Sequence, residues 1–66
     1  MKIQLNGEPR EIPDGATVAE LLALLELRPE HVAVEVNEQL APRARHGEIT
    51  LNPGDELELV TLVGGG

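Results

Sequence analysis

The chain has 66 residues, 41% of them hydrophobic, enough for one modest core in a domain that hides only about 60% of its unfolded surface. It has no Cys, no Ser and no Phe, Tyr or Trp, which excludes disulfides, thiolate metal sites, Ser or Cys nucleophiles, a Tyr acid and base-stacking platforms. Twelve acidic against five basic side chains give a net charge of −7, which opposes binding to nucleic acid or anionic membranes and favours partners with a basic face.

In chain order, Met1, Ile3 and Leu5 alternate with Lys2, Gln4 and Asn6, the pattern of a half-buried strand rather than a secretory leader. Asn6-Gly7 is a type I′ hairpin signal, because both central residues of that turn need positive φ. The return strand is Glu8 to Ile12, with Leu5 opposite Glu8, Ile3 opposite Arg10 and Met1 opposite Ile12. Pro9 cannot donate to a ladder, which sends this strand to a sheet edge. Pro13-Asp14-Gly15 is a turn. Thr17 followed by Glu20 is a capping box, and Val18, Leu21, Leu22 and Leu25 trace one buried helical stripe. Pro29 is expected to stop this helix, with fraying near Leu27-Arg28. The longest apolar run, Leu21 to Leu25, is too short to span a bilayer.

A second alternating stretch, His31 to Asn37, turns Val32, Val34 and Val36 inward. Glu38 to Gly47 has no clear period, and Pro42 argues against a long element there. Glu48 to Leu51 reads as a short strand, and Asn52-Pro53-Gly54-Asp55 as a turn with Pro where φ near −65° is wanted. Glu56 to Val63 is the last strand, and Gly64-Gly65-Gly66 follows it. One helix between two strand groups makes an α+β fold: a mixed sheet of four to five strands with one main helix on one face. If the last strand lies beside the first, the two are parallel and central, which is the β-grasp arrangement. The expected organisation is a folded domain over residues 1–63 and a flexible glycine tail over 64–66.

Catalytic constellations are nearly absent. His31, at the start of a strand, and His46, in the irregular loop, have no ligand spacing around them and read as surface histidines; no metal site is expected. Lys2 has no apolar surroundings, and no phosphate-binding glycine loop is present. What remains is the tail. Three residues without Cβ atoms pass through a narrow slot and reach about 10 Å when extended. They present the Gly66 carboxylate, which is unreactive until activated. An ATP-using partner could make it an acyl-adenylate, from which a sulfur or nitrogen nucleophile displaces AMP. The alternative is a fraying terminus or an engineered scar. In the strand before the tail, Leu57 and Leu59 face inward, while Val60 and Leu62 fall on the opposite face with Glu58. They form an exposed docking patch, unless they pack under the loop from Leu40 to Arg45.

The chain resembles the ThiS/MoaD family of ubiquitin-like β-grasp proteins. The resemblance is carried by Ile3-Gln4-Leu5-Asn6-Gly7, Thr17-Val18-Ala19-Glu20-Leu21-Leu22, Val34-Glu35-Val36-Asn37, Pro42-Arg43, Leu51-Asn52-Pro53-Gly54-Asp55, Glu58-Leu59-Val60 and Val63-Gly64-Gly65-Gly66. Length and the Val36-Asn37 and Pro42-Arg43 pairs lean toward the ThiS branch. The resemblance implies a carrier, not an enzyme: a ThiF-like adenylyltransferase activates the Gly66 carboxylate with ATP and magnesium. A cysteine-desulfurase-type donor then supplies sulfur, and the resulting thiocarboxylate serves a ThiG-like thiazole synthase of thiamine biosynthesis. Val60, Leu62, Val63, Gly64 and Gly65 are implied as partner-binding residues. The chain itself would hold no cofactor, be monomeric when free and work in the cytoplasm. The same tail would also suit tRNA thiolation, molybdopterin synthesis or protein modification, and a non-covalent β-grasp interaction module is the alternative of another class. One departure is the loop after Pro42-Arg43, which often carries an aromatic in the family and here reads Ala44-Arg45-His46.

Overall fold

A computed structural model describes residues 1–62. Its first hairpin has the expected register. β1 (Lys2–Leu5) pairs antiparallel with β2 (Glu8–Glu11), Leu5 opposite Glu8 and Ile3 opposite Arg10. Met1 and Ile12 exchange backbone hydrogen bonds one step further. Asn6 and Gly7 both take positive φ, 51° and 83°, as the turn between right-twisted strands requires.

Helix α1 (Val18–Leu24) opens on the capping box: Thr17 Oγ1 accepts from the Glu20 amide at 3.1 Å, and Glu20 Oε1 accepts from the Thr17 amide at 2.9 Å. Its other early amides go to the loop that carries residues 46–51. Val18 N–H donates to the Ile49 carbonyl at 3.0 Å and Ala19 N–H to that of His46 at 3.1 Å. The donors that a helix start leaves orphaned are thus satisfied. The segment expected as a strand, Glu48 to Leu51, is consumed by this task. It forms a single Thr17–Thr50 bridge and a bond from Leu51 N–H to the Ala16 carbonyl at 2.8 Å, and it does not join the sheet.

The helix also ends earlier than Pro29 would dictate. Glu26 adopts φ 58°, Glu26 N–H bonds the Ala23 carbonyl and Leu27 N–H bonds that of Leu22. This is a Schellman C-cap with Glu where glycine is usual. Leu27, half-buried, packs on the core, which offsets the cost of a left-handed residue that has a Cβ.

After a 3-10 turn, Pro29–His31, β3 (Val32–Val36) turns at Asn37-Glu38 into the two-residue β4 (Gln39–Leu40). Both turn residues have positive φ, 51° and 68°. This is a second tight hairpin, inside the stretch that shows no period in the sequence. A 3-10 turn at Arg43–Arg45 follows. Asn52 to Asp55 makes the expected turn, with Gly54 at φ 85° and Asp55 N–H on the Asn52 carbonyl. β5 (Glu56–Thr61) is the last strand in chain order.

The strand order is β2-β1-β5-β3-β4, with β1 and β5 parallel at the centre. This five-stranded mixed sheet with one helix on one face is the β-grasp arrangement. Both edges are poor templates for further pairing, since β2 is charged and contains Pro9, and β4 has two residues. The core lies between sheet and helix: Ile3, Val32, Val34 and Leu57 face Val18, Leu21 and Leu22, with Ala41 and Leu51 closing one end. Among the described residues no helix is long and apolar enough to cross a membrane.

Candidate functional site

β5 is the strand that runs toward the tail, and it is held along both edges. β1 and β3 flank it. Two turn residues then clamp it with their side chains. Asn6 Oδ1 accepts from the Leu59 amide at 2.8 Å, and Asn6 Nδ2 donates to the Leu59 carbonyl at 3.3 Å. The side-chain amide thereby continues the parallel ladder one step beyond the point where the β1 backbone turns away. Asn37 does the same at the other end: its Oδ1 accepts from the Glu56 amide at 2.9 Å, and its Nδ2 donates to Asp55 Oδ1 at 3.1 Å. Each Asn therefore has two roles. It tolerates the left-handed conformation the hairpin needs, and it fixes β5. The sequence marks Asn6 as a turn residue only, and nothing in it marks either clamp, because the bonds span 53 and 19 residues.

Alternation along β5 puts Leu57, 2% exposed, into the core, while Val60 and Leu62, 56% and 49% exposed, stand on the opposite side. The helix covers only one face, and among the described residues nothing covers the outer one. The expectation that Val60 and Leu62 are exposed is met, and Leu62 also borders a hollow that it shares with Leu40, Ala41, Pro42 and Arg43 of the loop. Leu40, 68% exposed, joins the same face, since it lies opposite Glu35, which in turn lies opposite Glu58. Ala33 is opposite Val60. The outer face thus has an apolar end, formed by Ala33, Val60, Leu62 and Leu40, toward the point where the chain leaves the sheet. Its other end is acidic: Glu35, Glu38, Glu56 and Glu58 surround a shallow hollow with Gln4 at its side. Val63, Gly64, Gly65 and Gly66, expected to complete the site, lie outside the described residues, as does the boundary between domain and tail.

The histidines part company. His31 is exposed in the 3-10 turn before β3. His46 is not a surface residue: it is 4% exposed. Its Nε2 donates to the Ala41 carbonyl at 3.0 Å, an assignment that follows from the partner being an acceptor only. Nδ1 has no partner among the described residues. The ring is buried because the Arg43–Arg45 turn folds the loop under the start of α1, where the His46 carbonyl also accepts from Ala19. The loop that carries an aromatic in the resembling family buries an imidazole here. Among the described residues no group of three or more His, Asp or Glu side chains is set to hold a metal ion.

Comparisons with known proteins agree with this geometry. The model of the ThiS family matches residues 3–66. Over all 66 residues the chain is 44% identical to a thiazole synthase of Magnetococcus marinus, of which it spans 20% of the length. It is 32% identical to the sulfur carrier protein ThiS of Escherichia coli, with both chains covered in full. The crystal structure of the thiamine biosynthesis protein ThiS from Geobacter metallireducens superposes with a TM-score of 0.86 at 32% identity, again over the whole of both chains.

Proposed function

This chain belongs to the ThiS family of sulfur carriers, and from that premise we propose that it supplies the sulfur of a thiazole ring through its own C-terminal carboxylate. The observation that carries the reading is the outer end of β5. The strand is clamped at its start and its middle, and Val60 and Leu62 stand exposed on a bare face immediately before the glycines.

The chemistry follows from the carboxylate. A ThiF-like adenylyltransferase, holding ATP and magnesium, joins a Gly66 carboxylate oxygen to the α-phosphorus and releases pyrophosphate. The acyl-adenylate is an activated carbonyl. A sulfur nucleophile from a cysteine-desulfurase-type donor attacks it, the C–S bond forms as the bond to AMP breaks, and a thiocarboxylate remains. If the donor is a persulfide, the S–S bond it brings must be cleaved by a thiol before the sulfur is free. The carrier binds no nucleotide. Its part is to dock through Val60, Leu62 and Val63 and to thread Gly64 and Gly65 to the partner's reacting atoms, where the absence of Cβ atoms lets a narrow passage close around them.

The destination is a ThiG-like thiazole synthase. The thiazole synthase names of relatives that contain this unit within a longer chain favour that destination over tRNA or molybdopterin. The test is intact-mass analysis after incubation with a ThiF-like enzyme, ATP, magnesium and a sulfur donor. The expected product has one terminal oxygen replaced by sulfur, and a Gly66→Ala variant is converted far more slowly. A chain that stays unmodified while the enzyme converts a known carrier overturns the reading.

A further inference from the structure

The two asparagine clamps are the same device at opposite ends of β5, and only one of them stands on the side of the glycines. Asn37 holds Asp55 and Glu56, where the strand begins. Asn6 holds Leu59, where the β1 backbone has already left. The β1–β5 ladder ends with Leu5 opposite Leu57 and the Asn6 amide on the Leu57 carbonyl at 2.9 Å. The next groups on that edge, the Leu59 amide and carbonyl, would have no partner, and the Asn6 side chain takes both, at 2.8 and 3.3 Å. Among the described residues no further bond reaches β5 on this edge. On the other edge β3 continues, with Thr61 opposite Val32 and Leu62 N–H on the His31 carbonyl at 2.7 Å. The last stretch of strand before the tail is thus held by a backbone ladder on one side and by a single side chain on the other.

We infer that Asn6 is a positioning residue for delivery of the C-terminal carboxylate, and that its twin Asn37 is not. The inference rests on the carrier reading above and adds which residue readies the strand end for the activating enzyme. The physical reason is entropy. Ordering backbone on binding is costly, and a strand end that is fixed before the encounter leaves less to be ordered on docking. Without the Asn6 side chain, β5 is free to peel from the β1 edge at Leu59 and hinges on β3 alone. Once the tail is seated, the enzyme itself fixes the strand, so the clamp acts on docking and not on bond formation. An interaction of that kind changes KM and leaves kcat alone. Both asparagines have φ of 51°, which glycine adopts readily. A change to glycine therefore removes either clamp and keeps its turn.

The experiment compares Asn6→Gly with Asn37→Gly in the full chain. Hydrogen exchange followed by NMR needs no partner. Exchange at the Leu62 amide is measured against the buried Leu21 amide, which reports opening of the whole domain. In Asn6→Gly this ratio is expected to rise about tenfold, and in Asn37→Gly to stay within about twofold of the parent. Adenylation is then read as pyrophosphate released by a ThiF-like enzyme at saturating ATP and magnesium, against carrier concentration. Asn6→Gly raises KM about five- to tenfold with kcat within about twofold, and Asn37→Gly leaves both within about twofold. Thermal melts set an assay temperature at which both variants are folded, so a loss of stability common to the two cannot produce the difference.

Equal rises in KM for the two variants would mean that lost stability acts and not position, and they overturn the inference. So does an unchanged KM in Asn6→Gly. A fall in kcat at unchanged KM would put Asn6 in the bond-forming step and overturns it as well. A Leu62 amide as protected in Asn6→Gly as in the parent would show that β3 alone fixes the strand end, with the same consequence. Failure of the parent chain to be adenylated by an enzyme that converts a known carrier is a separate result. It strikes the carrier reading, while the exchange measurement still decides the clamp.

Discussion

The two faces of β5 differ in what they contribute. On one, Leu57 is buried with Ile3, Val34 and the helix residues Leu21 and Leu22. On the other, Glu58, Val60 and Leu62 meet solvent, and Glu58 faces Glu35 across the ladder. One strand thus carries the stability of a small domain on one face and an unpartnered, internally repulsive surface on the other. A face that adds nothing to folding is free to be shaped for something else, and this is the face that continues toward the glycines.

The sharpest way to break this contrast is a matched pair. Leu57→Ala is expected to cost about 2–5 kcal/mol through lost burial and the cavity left behind, a large share of the stability of a domain this size. Val60→Ala, three residues on, should change stability by no more than about 0.5 kcal/mol. Urea denaturation of the two variants checks this, and equal costs would show that the outer face is packed after all.

The clamps come next. Asn6→Gly keeps the positive φ of the turn and removes both bonds to Leu59, so it isolates the clamp from the hairpin. It should cost about 1–2 kcal/mol for two partly exposed hydrogen bonds, and hydrogen exchange at the Leu59 amide should accelerate more than at Leu57. Equal acceleration at both would mean that the turn alone, and not the side chain, secures the strand.

On the covered side, Glu26→Gly relieves a left-handed residue at the helix C-cap. A gain of about 0.5–1 kcal/mol is expected, measured as a rise in the urea midpoint. A loss there would show that Glu26 makes a contribution beyond its backbone conformation.

The smallest effect is on pH. The Met1 ammonium donates to the Ile12 carbonyl at 2.7 Å and pairs with Asp14 at 2.9 Å and Glu11 at 3.6 Å. Its pKa is held above the ordinary 8.0, chiefly by the hydrogen bond to Asp14. A group whose folded pKa is raised stabilises fully below its unfolded value and loses that contribution as pH rises through the folded one. Stability should therefore be flat with respect to this group at neutral pH and decline slightly above 8.0. Asp14→Asn should flatten that decline in a pH series of thermal melts.

Where chemistry is local, the amino-acid order alone was enough. Period-two alternation, Asn6-Gly7, the Thr17–Glu20 box and Asn52-Pro53-Gly54-Asp55 each state their own conformation, because their partners lie within four residues. The pattern of Leu57 and Leu59 against Val60 and Leu62 likewise assigned the two faces of β5 before any contact was known. The second hairpin is not legible in the sequence because Glu38 stands where glycine usually signals positive φ, and the early helix end is hidden for the same reason at Glu26.

Three features were decided by tertiary packing alone. Residues Glu48 to Leu51 have the composition of a strand, but the orphan amides of α1 outbid the sheet for them. His46 reads as a polar surface residue and is buried, because the carbonyl of Ala41 is within reach of its ring. The Asn6 and Asn37 clamps, and the meeting of Glu35 with Glu58, join residues far apart in the chain. No local pattern encodes them, since only the closing of the sheet around β5 brings these groups within bonding distance.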